Sequence, residues 1–422
     1  MNCPESERLY EESRKLTPGG VSSPVRAFSP NPLFISRGRG SRIWDADGNE
    51  YIDLCMAYGP LIAGHACPDV LAAVSGQTGK GTVYGAPSEP ELRLLEAITE
   101  QMPSCEMVRL ACSGTEATMH AIRLARGYTG RNGIVKMNGG FHGAHDAVLA
   151  AAGSGSAQGV PGSAGVPADA VRNTYTVEYN DADMFENLLD RNEDIAAVIM
   201  EPVMGNVGVV PPEKGYLEEM RKITASHDVL LIFDEVITGM RLSEGGAQKM
   251  FGVTPDMTTM GKIIGGGFPA GAFGGRKKIM ENVAPQGSVY AAGTFAGNPV
   301  SACAGLALIK HMRGKYAALN SASAELAAAM RDSLSDSGVK GCIQNVGSMI
   351  SIGLGLDSVR NGAEASKADR KAFSELFSCM LGSGIYLPPS ALEVEFMSSA
   401  HTDEDAAKIA EAFGTAVRRL KK

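Results

Sequence analysis

Val229-Leu230-Leu231-Ile232-Phe233-Asp234-Glu235 is the run on which the fold turns. Five apolar residues are too few for a helix, and they include β-branched and aromatic side chains. They read as a strand buried on both faces, the pattern of a parallel sheet. An acid where such a strand ends stands at the carboxyl edge of the sheet, where open α/β sheets bind their ligands. Met260-Gly261-Lys262-Ile263-Ile264 follows, with Lys262 28 positions after Asp234, and Gly265-Gly266-Gly267 closes the stretch. An amine among apolar neighbours loses solvation of its charged form, so its pKa falls and it becomes a usable nucleophile. Taken singly, Asp234 is a turn or cap residue and Lys262 a snorkelling surface amine. Together they need the rest of the chain to decide.

Outward from this stretch, strand and helix signals alternate. Residues 107–112 read as a strand. Ser113-Gly114-Thr115-Glu116 opens a helix, with Ser113 as N-cap and Glu116 three residues on. Ala117, Ala121, Leu124 and Tyr128 follow on one face. Free backbone N–H groups at a helix start opened by small residues form an anion site. Gly139-Gly140-Phe141-His142-Gly143 is a turn whose aromatic either joins the core or stacks on a flat ring. Residues 195–201 read as a second buried strand, leading through Pro202 to Asn206. Residues 153–165, rich in small side chains, read as a mobile loop or a lid. A strand-end acid, a desolvated lysine one βαβ unit later and a phosphate cup suit pyridoxal phosphate. That cofactor needs a lysine to hold it and an acid beside its ring nitrogen.

The bulk numbers set limits. The chain has 422 residues, 44% of them hydrophobic and 20% charged, with net charge −8. That length supports a large core and two or three domains. The acidic balance argues against nucleic acid or an anionic membrane as partner. No apolar run reaches 18 residues, so no membrane span is expected. Residues 1–15 are charged and lack an apolar segment, so no signal peptide is expected. Eight cysteines without a C-x-x-C pair read as free thiols in a reducing cytoplasm. His142, His145 and Asp146 form an H-x-x-H-D cluster. No other Cys or His groups with them, and no metal is expected.

Three regions are expected. Residues 1–54 form an N-terminal segment. It holds a helix over 10–16 stopped by Pro18-Gly19-Gly20, an extended stretch with Ser23 and Arg26, and a hairpin over 43–53 around Asp47-Gly48. Arg26 offers a rigid guanidinium fork for a carboxylate, or is a solvated surface arginine. Residues 55–310 form the large cofactor-binding domain. Residues 311–422 form a smaller α+β domain with helices over 317–335, 371–381 and 403–420 and strands over 348–354 and 385–387.

Three stretches carry a family resemblance: Met107-Val108-Arg109-Leu110-Ala111-Cys112-Ser113-Gly114-Thr115-Glu116-Ala117-Thr118, Asp234-Glu235-Val236 and Gly261-Lys262-Ile263-Ile264-Gly265-Gly266-Gly267. They resemble class III aminotransferases, which are fold type I pyridoxal phosphate enzymes. Further stretches are similar to the aminomutase branch of that family and extend the likeness over nearly the whole chain. They are Pro18-Gly19-Gly20-Val21, Ser23-Pro24-Val25-Arg26-Ala27-Phe28, Gly85-Ala86-Pro87, Gly271-Ala272-Phe273-Gly274-Gly275, Ala292-Gly293-Thr294 and Pro389-Ser390-Ala391-Leu392-Glu393. The resemblance implies an α/β fold: a mixed, mostly parallel sheet with helices on both faces, plus a smaller α+β C-terminal domain. It implies pyridoxal 5'-phosphate and pyridoxamine 5'-phosphate as cofactor forms.

It also implies roles for individual residues. Lys262 tethers the cofactor and carries protons, and Asp234 partners the ring nitrogen. Ser113, Gly114 and Thr115 form the phosphate cup. Phe141 and Val236 cover the ring faces, His142 joins the cofactor contacts, and Asn206 lies near the ring's 3-oxygen. Thr294 reaches the phosphate from the other subunit of a homodimer. Ser23 and Arg26 form a substrate-binding pair, with Arg26 on the carboxylate, and Glu393 is an acid of the mutase close to the active site. The implied activity moves an amino group from C2 to C1 of one small amino aldehyde. The alternative is an ω-aminotransferase with a separate amine donor and keto-acid acceptor. Cys112, Phe141, Ser22 and Tyr58 depart from the family's usual Asn, Tyr, Asn and Trp.

Overall fold

The computed structural model describes residues 3–150 and 162–420. The chain divides into two compact units. One comprises Met1–Cys67, Ala318–Ser358 and Lys367–Lys422; the other comprises Pro68–Ala317 and Val359–Ser366.

The larger unit is built on seven strands: β1 (Met107–Ala111), β2 (Gly133–Met137), β3 (Thr174–Val177), β4 (Ile195–Met200), β5 (Leu230–Asp234), β6 (Met257–Met260) and β7 (Gly271–Gly275). Their order across the sheet is β1-β7-β6-β5-β4-β2-β3. Strands β2 to β6 pair in parallel. Only β7 runs against its neighbours, β1 and β6. Every residue of β2, β4, β5, β6 and β7 is buried. That is why β4 and the residues of β5 before Asp234 are unbroken apolar runs rather than alternating ones. Helix α1 (Gly114–Thr129) follows β1 directly. Its buried Ala121 and Leu124 join Ile134, Ala197 and Ile232 of the sheet in one core cluster. The strand expected over residues 229–233 is therefore present, in the mixed, mostly parallel sheet that the family resemblance implies. Gly271 allows β7 to lie against the β1–α1 turn: a Cβ there would fall 2.1 Å from the Ser113 carbonyl oxygen.

The smaller unit holds two antiparallel-rich sheets. The expected hairpin forms between Arg42–Asp45 and Glu50–Asp53. Ile35–Arg39 extends it on one side. Ile385–Tyr386 pairs in parallel with Glu50–Asp53 on the other, bridging more than three hundred residues of chain. Gly341–Val346, Met349–Leu354 and Glu395–Phe396 form the second sheet. The first helix runs over Pro4–Ser13, not 10–16. Pro4 takes the first helical position, where its missing N–H costs nothing. The carboxylate of Asp47 then accepts the N–H groups of Glu5 at 2.8 Å and Ser6 at 3.0 Å. The cap comes from the hairpin turn, which no local pattern reveals. Of the loop expected over 153–165, residues 153–161 lie outside the described residues. Among the described residues no helix is long and apolar enough to cross a membrane.

Candidate active site

Residues just beyond the carboxyl ends of five strands, β1, β2, β4, β5 and β6, line one cavity of about 220 Å³. Strand-end loops of a parallel sheet all open on the same edge, so this is where the fold gathers functional groups.

From β1 come Ser113, Gly114 and Thr115. The Ser113 hydroxyl accepts the Glu116 N–H at 3.1 Å, as an N-cap should. The Glu116 carboxylate does not return to the Ser113 amide; it accepts the Cys112 N–H at 2.8 Å. The reciprocal box is thus displaced by one residue. The amides of Gly114 and Thr115, in the first turn of α1, have no intrahelical acceptor and suit an anion. Gly143 sits against this helix start with φ +92, and a Cβ there would lie 2.6 Å from Thr115 Cα.

Asp234, at the end of β5, is buried and held by three donors. One oxygen accepts the Val236 N–H at 3.1 Å and the Thr259 hydroxyl at 3.0 Å. The other meets His142 Nδ1 at 2.7 Å. Burial pushes the His142 pKa down, against the pull of Asp234. The neutral ring then carries its proton on Nδ1 and donates it to the carboxylate. His142 Nε2 is buried and finds no partner among the described residues.

Glu201 follows β4 and lines the same cavity. It accepts the N–H groups of Phe141 at 3.3 Å and Gly205 at 2.9 Å, and the Asn206 amide at 2.9 Å. Burial, then the charge of Asp234, pushes its carboxyl up to about 7. Lys136 in β2 is fully buried and donates to the carbonyls of Gly140 at 2.8 Å and Ala150 at 3.0 Å. Burial brings its amine down to about 8, with Glu201 opposing. Lys136 and Glu201 together fix the turn that presents Phe141 and His142. Phe141 is 43% exposed although it lines the cavity, so an apolar ring face is left for a flat ligand to cover. Val236 also lines the cavity, its Cγ1 methyl 3.0 and 3.2 Å from where Cβ atoms on Gly114 and Gly261 would be.

Lys262 comes two residues after β6, the strand beside β5, and is half-buried in the cavity wall. Its φ is 48°. The left-handed region costs a non-glycine residue roughly 1–2 kcal/mol. Such strain persists where the surroundings enforce it, typically at functional sites.

The cavity therefore brings together Ser113, Gly114, Thr115, Phe141, His142, Asn206, Asp234, Val236 and Lys262. Thr294 is not in its lining and is exposed, on a segment whose Tyr290 and Phe295 are 71% and 61% exposed. Ser23 and Arg26 belong to the smaller unit. Arg26 is exposed and lines a second cavity, of about 520 Å³, with Tyr58 and Tyr386. Glu393 is half-buried in the same unit.

Sequence reading missed the part played by Glu201 and Lys136. Glu201-Pro202 closes an apolar strand just as Asp234 does, and that signal was available. The H-x-x-H-D cluster resolves differently, since His142 Nδ1 is committed to Asp234. Among the described residues, the group with ligand atoms close together is Cys3, Asp45 and Asp47. Its two acids are occupied by Asn49, Tyr51 and the first helix.

An acid and a lysine on adjacent strand ends, beside an anion seat at a helix start, define a pyridoxal phosphate enzyme of fold type I. The residues fit that group: amides for its phosphate, a fixed carboxylate for its ring nitrogen, an open aromatic face for its ring. The aminotransferase class-III model matches residues 25–417, and the chain belongs to that family.

Three relatives sharpen this. The chain is 53% identical to the glutamate-1-semialdehyde 2,1-aminomutase of Archaeoglobus fulgidus, over 98% of this chain and 99% of the relative. Its structure is similar to that of an ω-transaminase from Sphaerobacter thermophilus, with TM-score 0.93, 35% identity, and 99% and 98% of the two chains covered. It is also similar to a glutamate-1-semialdehyde aminomutase from Pseudomonas aeruginosa in complex with PMP, with TM-score 0.90, 28% identity, and 99% and 95% covered.

Proposed function

We propose that this enzyme converts glutamate 1-semialdehyde to 5-aminolevulinate for tetrapyrrole synthesis. The amino group moves from C2 to C1 by way of 4,5-diaminovalerate. The observation that carries the proposal is the 53% identity to an aminomutase along the full length of both chains. Pyridoxal phosphate, when bound, supplies a carbonyl that takes and returns the amino group and a ring that draws electrons from the substrate carbon.

The chain's own residues do the rest. The amides of Gly114 and Thr115, the Thr115 hydroxyl and Ser113 seat the phosphate. Phe141 and Val236 would cover the ring faces, and Asn206, oriented by Glu201, would serve its 3-oxygen. Asp234, held by Val236, Thr259 and His142, keeps a negative charge beside the ring nitrogen and favours its protonated form. Lys262 Nζ tethers the cofactor and shuttles the proton between the reacting carbons. Ser23 and Arg26 bind the substrate, Arg26 at its carboxylate, and Glu393 serves as a further acid toward the substrate.

The enzyme acts as a homodimer in which Thr294 serves the partner's phosphate site. The exposed Thr294 and its exposed neighbours Tyr290 and Phe295 support this. Eight free cysteines accord with a reducing cytoplasm.

The test is product analysis with purified protein, cofactor and glutamate 1-semialdehyde, and no added acceptor. Formation of 5-aminolevulinate is expected. The likeness to an ω-transaminase favours one other reading, amine transfer to a separate keto acid. Turnover that depends wholly on added 2-oxo acid would establish that reading instead.

A further inference from the structure

We propose that Tyr58 is a positioning residue for substrate binding: its phenol holds the Val25 carbonyl and so fixes the short turn that presents Arg26. The proposal rests on the reading of Arg26 as the carboxylate fork. Tyr58 Oη donates to the Val25 carbonyl at 2.7 Å, across 33 residues of sequence. The turn it reaches, Pro24–Arg26, contains no buried residue. Its internal bonds are few: Arg26 N–H to the Ser23 carbonyl and Ala27 N–H to the Pro24 carbonyl, each at 3.1 Å. Packing therefore does little to order Arg26, and an external hydrogen bond one residue before it matters.

The backbone behind Tyr58 is built to hold that phenol. Met56, Ala57 and Tyr58 have φ of 44°, 54° and 63°. Three consecutive non-glycine residues in the left-handed region is a rare arrangement, and it survives only where surrounding groups enforce it. Here Asp53 does so. One carboxylate oxygen accepts the N–H groups of Cys55 at 2.8 Å and Met56 at 3.0 Å. The other meets His65 Nε2 at 2.7 Å. Met56 is fully buried and anchors the turn from below. Burial also raises the Tyr58 phenol above its ordinary value, so it stays protonated and remains a donor. A fork whose backbone is already ordered loses less freedom when it grips a carboxylate.

The test compares Tyr58→Phe, Arg26→Gln and the double variant. The readouts are the KM and kcat for glutamate 1-semialdehyde and hydrogen exchange over residues 21–28. Tyr58→Phe is expected to raise KM about fivefold, the worth of one neutral hydrogen bond, with kcat changed less than about twofold. Its exchange over residues 21–28 should quicken. On the Arg26→Gln background the same substitution should add nothing to KM, since it acts through Arg26. An unchanged KM in Arg26→Gln would overturn the carboxylate role of Arg26 itself. If Arg26→Gln raises KM but Tyr58→Phe does not, the tether is wrong. It is also wrong if Tyr58→Phe keeps its full factor in the double variant, because Tyr58 would then touch substrate independently.

Discussion

Replacing Glu201 with glutamine should change how stability responds to pH, by an amount that follows from its burial. The carboxyl is fully enclosed and its value rises from 4.5 to about 7. Glu201 thus binds its proton more tightly in the folded chain than in the unfolded one. Below pH 4.5 both states are protonated and the group is neutral in its effect. Above that, the unfolded chain ionises first, and folded stability drains away until the pH passes about 7. At about 1.4 kcal/mol per pH unit the full loss is roughly 3 kcal/mol. Most of it, roughly 2–3 kcal/mol, falls between about pH 5 and 7.5. Glutamine cannot ionise, so the variant escapes that loss. The stability of Glu201→Gln minus that of wild type should therefore rise by roughly 2–3 kcal/mol over this window. A fixed cost of placing an amide among the Phe141, Gly205 and Asn206 donors cancels in the pH difference. His145, pushed down to about 4 by burial, and Glu395, raised to about 8 by burial, titrate alike in both proteins. Lys136, lowered to about 8 with Glu201 opposing, loses that opposition in the variant; its amine then sheds its proton at lower pH, which adds to the rise rather than subtracting from it. The assay is urea unfolding of the cofactor-free protein followed by circular dichroism. The single tryptophan, Trp44, sits in the other unit and would report the wrong region. A stability difference that is flat with pH, or falls as pH rises, would refute the raised carboxyl and with it the dry environment inferred for Glu201.

Three further outcomes are expected. Lys262→Ala should lower kcat for 5-aminolevulinate formation by at least roughly 10²–10⁴-fold, the worth of a positioned proton carrier; near-normal turnover would remove Lys262 from its role. Gly143→Ala places a methyl 2.6 Å from Thr115 Cα at φ +92, so it should weaken pyridoxal phosphate binding by about tenfold or more, which is about 1.4 kcal/mol. Titration of cofactor into the cofactor-free protein reads this directly, and unchanged affinity would mean that the Thr115 end of the helix does not seat the phosphate. Ser113→Ala frees the Glu116 N–H from its cap and should cost about 1 kcal/mol of stability, seen as a lower unfolding midpoint in urea.

What could be read beforehand were features that one local pattern determines. A short apolar run rich in β-branched and aromatic residues reads as a strand buried on both faces, so β4 and β5 were legible, and so was the edge where their acids stand. Ser113 announced its helix because a hydroxyl before a helix start has a single efficient use. The shell behind these residues was not legible, because it is made of contacts between distant parts of the chain. The His142–Asp234 bond spans 92 residues. Lys136 in β2 holds the turn after β2 by donating to the Gly140 and Ala150 carbonyls, and an isolated buried lysine looks in sequence like any solvated one. Ile385–Tyr386 joins the sheet of Glu50–Asp53 by pairing that no local period records.

Backbone strain was the deepest omission, and its position carries meaning. Lys262 and the run Met56 to Tyr58 adopt left-handed φ without glycine. Lys, Met, Ala and Tyr give no hint of such a backbone; a glycine would have relieved the strain and also revealed it. A lysine that must offer its amine at one point, and a tyrosine that must offer its phenol at another, cannot be exchanged for glycine. The chain therefore keeps the side chain and bears the backbone cost, which the buried Ile263 and Ile264 next to Lys262 and the Asp53 carboxylate beneath Tyr58 sustain. The same logic ranks the two sites. At Lys262 the strained residue is itself the proposed catalyst, so substitution should strike turnover. At Tyr58 the strained residue steadies a neighbour, so substitution should strike affinity for the carboxylate and leave the chemical step nearly intact.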